Sequence, residues 1–278
     1  MRVAITGARG QLGRSLTESF QSHELLLIDL PEHDVTQRDI IPLISDFGPE
    51  LVIHAAAMTD VDGCEREPDV AYRVNALGTR SVALACQRCD APMLYISTDY
   101  VFDGTSDEPY LEYDEPNPTS VYARSKLAGE EFVRDLLKRF YVVRTAWLYG
   151  RNGNNFVEKM LQLADRDREL SVVSNEFGSP TYAPDLAEAI FRLTQHPLYG
   201  IYHLVNEGSC SRYEFACKVL ELAGKRDVQL RPAKIFARAA RVPRRAVLRN
   251  FCAARQLGIV LRPWEEALRA YSEERNGA

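Results

Sequence analysis

The chain has 278 residues, of which 46% are hydrophobic and 26% are charged, and its formal net charge at pH 7 is −5. This composition is typical of a folded globular protein, and the acidic balance argues against a general nucleic-acid-binding surface. No apolar run approaches the roughly 18 residues that a membrane span needs. Strand-like residues follow Met1 directly, so neither a signal peptide nor a membrane partner is expected, and the cytoplasm is the expected location.

Short apolar segments alternate with amphipathic helical segments through the first half of the chain. This alternation predicts an α/β fold with a Rossmann-type, doubly wound parallel sheet. Ligands of such sheets bind at the carboxyl ends of the strands. The predicted strands are residues 3–6, 25–29, 51–57, 93–97 and 140–146, and the predicted helices are residues 11–22, 37–47 with Thr36 as N-cap, 70–88 and 121–139.

A glycine-rich turn follows the first predicted strand, between Thr6 and Gln11-Leu12-Gly13. Gly7 would permit a tight turn, Gly10 would let the backbone approach a pyrophosphate, and Gly13 would allow the helix to pack closely on the strand. The spacing is G-x-x-G-x-x-G rather than the G-x-G-x-x-G of the standard fingerprint, and such glycines also occur for steric reasons alone. Its place between a strand and a helix predicts a dinucleotide site.

Asp29 ends the second predicted strand and is the main expected contact of the cofactor beyond the glycine turn. A carboxylate there can accept hydrogen bonds from a ribose diol and would repel a 2′-phosphate, which favours NADH. The alternative is an aspartate that caps a turn. The further residues expected around the cofactor are Gln11, Leu12, Asp34, Val35, Ala56, Ala57, Met58, Thr59 and Ile96.

Tyr122 and Lys126 open the helix after the fourth predicted strand, and that strand ends in Ser97-Thr98-Asp99. Positions i and i+4 share one face of a helix, so the phenol and the ammonium should point the same way. A neighbouring ammonium favours the phenolate, so we expect Lys126 to lower the pKa of Tyr122 and make it a proton donor near neutral pH. The pattern predicts carbonyl reduction, and a surface tyrosine stacked on a lysine stem is the alternative.

Together these motifs resemble the extended short-chain dehydrogenase/reductase superfamily, and more narrowly the dTDP-4-dehydrorhamnose reductase family. The likeness extends from Met1 to about Trp264. It implies that NADH or NADPH reduces the 4-keto group of a dTDP-linked sugar, dTDP-4-dehydro-L-rhamnose, to give dTDP-L-rhamnose. The segments that carry the narrower resemblance are Gly10 to Gly13, Ser97 to Gly104, Arg144 to Trp147 and Phe177 to Thr181.

The resemblance also implies a role for each residue of the reaction site. Tyr122 would donate a proton to the C4 oxygen, while Lys126 would lower the pKa of Tyr122 and bind the nicotinamide ribose. Thr98 would hydrogen-bond the substrate oxygen, and Asp99 would contact the sugar. The indole of Trp147 would lie against the deoxysugar with its apolar face, although a core tryptophan is the alternative.

Tyr100 distinguishes this chain from related dehydratases, which carry a glutamate as acid/base directly after Thr-Asp. A phenol with a pKa near 10 cannot readily do that work, so a dehydratase is disfavoured and, less firmly, so is an epimerase. Two alternatives stay open. One is a reductase of another nucleotide-linked 4-keto-6-deoxy sugar, and the other is a non-catalytic regulatory subunit that binds NAD(P).

The second half of the chain is predicted to hold the substrate. Residues 1–147 form the predicted NAD(P)-binding domain and residues 148–278 mainly the substrate lobe, with 170–196 returning to the first domain. Guanidinium groups match phosphate oxygens bidentately, so an arginine cluster in this lobe could bind the diphosphate of a nucleotide sugar, with a solvated basic loop as the alternative. The cluster comprises Arg238, Arg241, Arg244, Arg245 and Arg249.

No metal site is predicted. The five histidines are scattered, and the pair Cys86 and Cys89 lacks two further ligands at matching spacing, so reduced thiols are expected. Some members of the family bind magnesium through glutamates at a dimer interface, but the corresponding position of the first helix is Ser15 here. Ser15 therefore argues against that metal-bridged dimer, and both a homodimer and a dependence on magnesium stay open.

Overall fold

A six-stranded parallel sheet forms the centre of the computed structural model, which describes residues 1–151 and 153–277. The strands are, in chain order, β1 (Arg2–Thr6), β2 (Glu24–Ile28), β3 (Leu51–His54), β4 (Met93–Thr98), β5 (Phe140–Thr145), β6 (Leu148–Tyr149), β7 (Glu169–Val173), β8 (Phe177–Gly178), β9 (Thr181–Tyr182), β10 (Gly200–His203), β11 (Cys210–Ser211) and β12 (Gln229–Ala233). The α-helices are α1 (Gln11–Ser19), α2 (Ile40–Phe47), α3 (Val61–Arg66), α4 (Pro68–Tyr72), α5 (Thr79–Cys89), α6 (Val121–Leu136), α7 (Phe156–Arg166), α8 (Ala183–Thr194), α9 (Arg212–Leu222), α10 (Phe251–Leu257) and α11 (Trp264–Asn276).

The central sheet has the strand order β10-β5-β4-β3-β1-β2, and each neighbouring pair is parallel. The order reverses beside β1, which places a ligand crevice outside the carboxyl ends of β1 and β3. Helices cover both faces, which explains why the inner strands are continuous apolar runs. One core packs α1 and α8 on the sheet through residues such as Leu16 and Ile190, and the other packs α2 and α5 through Ile44 and Val82. The predicted fold class is confirmed.

The helix boundaries differ from the sequence prediction at several places. The helix predicted over residues 70–88 consists of α4, a π-helical segment (Arg73–Gly78) and α5. Thr36 does not cap α2, because that helix begins at Ile40 with Asp39 as N-cap. The helices α3 and α10 were not predicted, since six and seven residues are too short to show a clear amphipathic period.

A second, smaller lobe carries β7 and β12 as a parallel pair and packs α7, α9 and α11 around an aromatic core. Residues 170–196 supply elements to both parts, because β7 pairs within this lobe whereas α8 packs on α1. The strand β10 lies at the edge of the central sheet, next to β5. The domain limits therefore remain a proposal. Among the described residues, no helix combines the length and the apolar character needed to cross a membrane.

Candidate functional site

A cavity of about 810 Å³ runs along the carboxyl ends of the central strands. One end is formed by the glycine turn after β1, and the other by the end of β4, the start of α6 and the residues that follow β5. The register of β4 and β5 places Thr98 beside Thr145, two residues before Trp147. The topology thus brings the two predicted sites into one space.

The glycine turn fits a dinucleotide because side chains are excluded from it. Gly7 has a φ of +70°, and a Cβ there would lie 2.7 Å from the backbone nitrogen of Ala56. A Cβ on Gly13 would lie 2.0 Å from the carbonyl oxygen of Gly7. The unpaired N–H groups at the start of α1 are a ready site for a pyrophosphate. Gly7, Gly10, Gln11, Leu12 and Gly13 all line the cavity.

The end of the cavity at the glycine turn carries charges of both signs. The Asp29 carboxylate accepts hydrogen bonds from the backbone N–H of Arg9 at 2.7 Å and of Leu30 at 2.8 Å, so it also organises the turn. The Arg9 guanidinium pairs with Glu32 at 2.8 Å. A carboxylate disfavours a 2′-phosphate and a guanidinium favours one. The geometry therefore leaves the choice between NADH and NADPH open.

Most of the remaining predicted cofactor residues line the cavity, and Met58 does not. The backbone N–H of Met58 donates to the side chain of Asn75 at 2.8 Å, and Met58 packs with Tyr122 against a small apolar cluster. The Asp34 carboxylate accepts from the backbone N–H of Thr36 within its own turn. The predicted residues that do line the cavity here are Asp29, Asp34, Val35, Ala56, Ala57, Thr59 and Ile96.

The side chains of Tyr122 and Lys126 project into the other end of the cavity from the first turns of α6. Ser120 caps this helix by accepting a hydrogen bond from the backbone N–H of Ala123 at 3.2 Å, which fixes where the helix starts. The Lys126 ammonium donates to the carbonyl oxygen of Ile96 at 2.7 Å. It also lies 4.2 Å from the centroid of a buried tyrosine ring, Tyr95.

The pKa values at this end correct one expectation from the sequence. Burial raises the pKa of Tyr122 well above 10; the Thr98 hydroxyl opposes this rise, and Asp99 adds to it. Burial also lowers the pKa of Lys126 to about 7. Both shifts follow because a low dielectric disfavours the charged form of each group. The expected lowering of the Tyr122 pKa by Lys126 was therefore wrong for the protein without ligand.

Thr98 and Asp99 form a short hydrogen-bonded unit next to Tyr122. The Thr98 hydroxyl donates to Asp99 Oδ1 at 3.0 Å and accepts from the backbone N–H of Tyr100 at 3.2 Å. Asp99 Oδ2 is buried and has no hydrogen-bond partner in the part of the chain that the structure describes. Burial raises the pKa of Asp99 to about 7. The Thr98 hydroxyl can accept a further hydrogen bond as it stands, and it can donate one to a ligand only by giving up its bond to Asp99.

A buried ion pair between Arg144 and Glu130 lies near the end of the cavity that contains Tyr122 and Lys126. The Arg144 guanidinium on β5 donates to both Glu130 oxygens, at 3.0 and 2.7 Å. The Ser97 hydroxyl donates to the same carboxylate. The pair thereby ties the ends of β4 and β5 to α6. Thr98 ends β4, Tyr122 lies on α6, and Trp147 follows β5 by two residues.

Trp147 lies in the wall of the cavity in a constrained conformation. Its φ is +43°, a left-handed value that is uncommon for a bulky residue. A Cβ on Gly178 would lie 2.4 Å from Cε2 of the indole, so only glycine leaves room for this ring position. The guanidinium carbon of Arg212 lies 3.5 Å from the centroid of the indole.

Arg212 is one of several cavity residues that the sequence did not indicate, and the arginine cluster lies elsewhere. Arg212 is the first residue of α9, directly after the N-cap Ser211. A cation at the start of a helix is unfavourable because it opposes the helix dipole, and this unusual position is the feature of the sequence that could have indicated a special role for Arg212. Arg238 instead pairs with Glu176 at 2.9 Å. Within the described chain, none of the five clustered arginines lines this cavity.

Comparisons with known proteins cover nearly the whole chain. The family model described as "RmlD substrate binding domain" matches residues 1–276. The spore coat polysaccharide biosynthesis protein SpsK of Bacillus subtilis is 41% identical over 100% of this chain and 99% of its own. A dTDP-4-dehydrorhamnose reductase from Clostridium acetobutylicum matches at TM-score 0.96 and 40% identity, over 99% of this chain and 100% of that chain. A dTDP-4-dehydrorhamnose reductase from Bacillus anthracis, in complex with NADP, matches at TM-score 0.94 and 40% identity, over 98% of this chain and 99% of that chain.

Proposed function

The chain belongs to the family described as the RmlD substrate binding domain, and on this premise we propose that it reduces dTDP-4-dehydro-L-rhamnose to dTDP-L-rhamnose with NADH or NADPH. It is an oxidoreductase of the dTDP-4-dehydrorhamnose reductase type. One observation carries the reaction: Thr98, Tyr122 and Lys126 line the same cavity as a turn that fits a dinucleotide. A proton donor and a hydride source thereby meet at one place.

NADH or NADPH, when bound, supplies the hydride to C4 of the sugar. The Tyr122 phenol gives its proton to the C4 oxygen, and the ketone thereby becomes an alcohol after the addition of one hydride and one proton. The Thr98 hydroxyl, which donates to Asp99 Oδ1 in the structure, turns its one proton to the same oxygen when the sugar binds and holds it in place. The Asp99 carboxylate accepts from a sugar hydroxyl, and the Trp147 indole offers an apolar wall to the deoxysugar ring.

Lys126 serves the cofactor and the proton donor together. Its ammonium is held toward the cavity by the Ile96 carbonyl and binds the nicotinamide ribose. In its charged form it stabilises the phenolate that Tyr122 leaves after proton transfer. Because the pKa of Lys126 is lowered to about 7 by burial, the charged fraction in the protein without ligand decreases as the pH rises through 7.

The test mixes the purified protein with dTDP-4-keto-L-rhamnose and either NADH or NADPH and follows the cofactor absorbance. We expect oxidation of at least one cofactor and formation of dTDP-L-rhamnose. Absence of oxidation with both cofactors would refute the proposal. It would favour the regulatory alternative if NAD(P) binding persisted in the same preparation.

A second candidate is the reduction of another nucleotide-linked 4-keto-6-deoxy sugar. The name of SpsK refers to a polysaccharide and not to one sugar, so relatives of this kind leave the sugar open. The same assay with keto sugars of different configuration distinguishes the two candidates. The better substrate is the one with the higher kcat/KM.

A further inference from the structure

Arg212 lies in the wall of the cavity although no motif of the reaction accounts for it. The capping box of Ser211 and Glu214 fixes the start of α9 and so fixes the backbone of Arg212. From there the guanidinium reaches 3.5 Å from the centroid of the Trp147 indole, and 5.0 Å from that of Phe156. A guanidinium stacked on an aromatic face is a strong and directional contact when it is shielded from water.

The surroundings of Arg212 connect it to the reaction end of the cavity. Burial lowers the pKa of Arg212, while the nearby Tyr100, Glu176 and Asp99 raise it. Tyr100 lines the same cavity as Arg212, and Glu176 is also paired with Arg238 at 2.9 Å. The charge of Arg212 is therefore shared among Tyr100, Glu176 and Asp99 rather than paired with one carboxylate.

Asp99 has few other charged neighbours that could favour its ionised form. The titratable groups that face it are Tyr100 in its own turn, Tyr122 on α6 and Arg212 on α9. Both tyrosines are neutral near pH 7, since burial raises the pKa of each. Among the described residues, Arg212 is the cation that lowers the pKa of Asp99.

We propose that Arg212 is a positioning residue of the reduction site, which holds the Trp147 indole as one wall of the sugar pocket and adds a cation to the cavity wall that also contains Asp99. The inference rests on the proposed function for its kinetic part only. Its structural part, the clamp on Trp147, does not depend on the identity of the substrate. Arg212 acts through these two side chains and is not itself assigned a contact with the reacting atoms.

The first experiment measures the fluorescence of Trp147 without any substrate. The chain has two tryptophans, so Trp264→Phe leaves Trp147 as the only emitter. In that background Arg212→Met should shift the emission maximum and increase quenching by acrylamide, because the indole loses the cation over its face. Arg212→Lys should change the spectrum less. The control is Arg166→Met, an exposed arginine of the same lobe, which should leave it unchanged.

The second experiment compares pH profiles of kcat/KM for the wild type, Arg212→Met and Arg212→Lys. We expect kcat/KM of Arg212→Met to be about 30-fold lower than that of the wild type. This factor corresponds to the free energy of a desolvated cation–π contact. Its acidic limb should move to higher pH, because the pKa of Asp99 rises without the cation. Arg212→Lys keeps the charge and should keep the acidic limb in place.

The outcomes separate this inference from the proposed function. Unchanged Trp147 emission in a folded Arg212→Met protein overturns the clamp, and an unchanged acidic limb overturns the effect on Asp99. If the wild type does not reduce the keto sugar, the proposed function is refuted. The emission experiment still tests the contact between Arg212 and Trp147, because it needs no substrate. If circular dichroism shows that Arg212→Met does not fold, Arg212→Lys and Arg212→Gln provide the comparison of charge and stacking.

Discussion

The cofactor end and the substrate end of the cavity differ in what forms their walls. At the cofactor end the glycine turn is a backbone surface, because Gly7 and Gly13 exclude side chains and α1 presents its N–H groups, and the side chains of Arg9 and Asp29 lie beside it. At the substrate end the wall is made of side chains from four separate elements, with Asp99, Tyr122, Trp147 and Arg212 among them. In the proposed function the first end binds the pyrophosphate through its backbone, and the second end can be altered one side chain at a time.

This difference has a physical consequence for the charges at each end. Backbone N–H groups stabilise an anion without placing a formal charge in the interior. The substrate end instead buries a lysine, an aspartate and an arginine, whose pKa values are shifted by burial. We therefore expect substitutions at the substrate end to change rates and pH profiles, and substitutions at the cofactor end to change cofactor affinity.

Tyr122→Phe separates the two ends most clearly. Loss of the general acid should lower kcat by about 10²–10⁴-fold and leave NADH or NADPH binding largely intact. Single-turnover kinetics and a fluorescence titration with the cofactor measure the two effects. Tyr113→Phe, which changes a largely exposed tyrosine outside the cavity, is the control. An equal loss of cofactor affinity in Tyr122→Phe would instead indicate a structural tyrosine.

The ion pair below the substrate end should matter for stability. Glu130→Gln leaves Arg144 buried without its carboxylate partner, which should lower the free energy of unfolding by about 3–5 kcal/mol. The control is Glu221→Gln, which breaks a more exposed pair with Lys218 and should cost about 0–1 kcal/mol. Urea denaturation measures both. A similar, small loss in the two variants would show that the buried pair does not hold the strand ends together.

The cofactor end was the easier one to predict from the sequence. Gly7, Gly10 and Gly13 lie close together in the chain, and their role follows from local geometry at one strand-to-helix turn. Thr98, Tyr122 and Lys126 could also be placed, because the carboxyl ends of parallel strands lie at one edge of the sheet. For these residues the sequence specified which side chains share the cavity, and the residue roles remain proposals.

The rest depended on packing, which no spacing reveals. Arg212 reaches Trp147 only because α9 of the second lobe lies against the residues after β5. The raised pKa of Tyr122 and the lowered pKa of Lys126 arise from burial, whereas helical spacing alone suggested the opposite shift for the phenol. Met58, which was expected at the cofactor, is not part of the cavity lining, and its backbone N–H donates to the side chain of Asn75.

Gly7→Ala tests whether the cofactor end depends on the backbone surface of the glycine turn. The new Cβ would collide with the backbone of Ala56, and a displacement of the turn by about 1 Å should weaken cofactor binding by about 10²-fold. Gly224→Ala is the matched control, because Gly224 has a φ of +68° and open space around the added Cβ. Both variants carry the same backbone strain, so only Gly7→Ala should lose affinity in the titration. Equal affinities would mean that the turn adapts to a side chain.

Asp99→Asn should have the smallest effect on rate. With the pKa of Asp99 raised to about 7 by burial, wild-type kcat/KM should fall as the pH drops through 7 and the carboxylate becomes protonated. The asparagine cannot ionise, so the pH profile of kcat/KM for Asp99→Asn should not show this decrease at low pH. At pH 8 its kcat/KM should be about tenfold lower than that of the wild type, because a hydrogen bond to a charged group is lost. A limb that persists in Asp99→Asn would assign the titration to another group.

The same substitution should stabilise the fold, with a sign that follows from the pKa. Asp99 titrates near 7 in the folded protein and near 3.8 otherwise, so the folded state binds more protons between these values. Stability is therefore lost as the pH rises through this window. Asp99→Asn should raise the melting temperature more at pH 8 than at pH 4, measured by circular dichroism. Lower activity together with higher stability would show that the buried carboxylate of Asp99 serves binding at the expense of fold stability. The backbone N–H groups at the cofactor end stabilise an anion without burying a charged side chain.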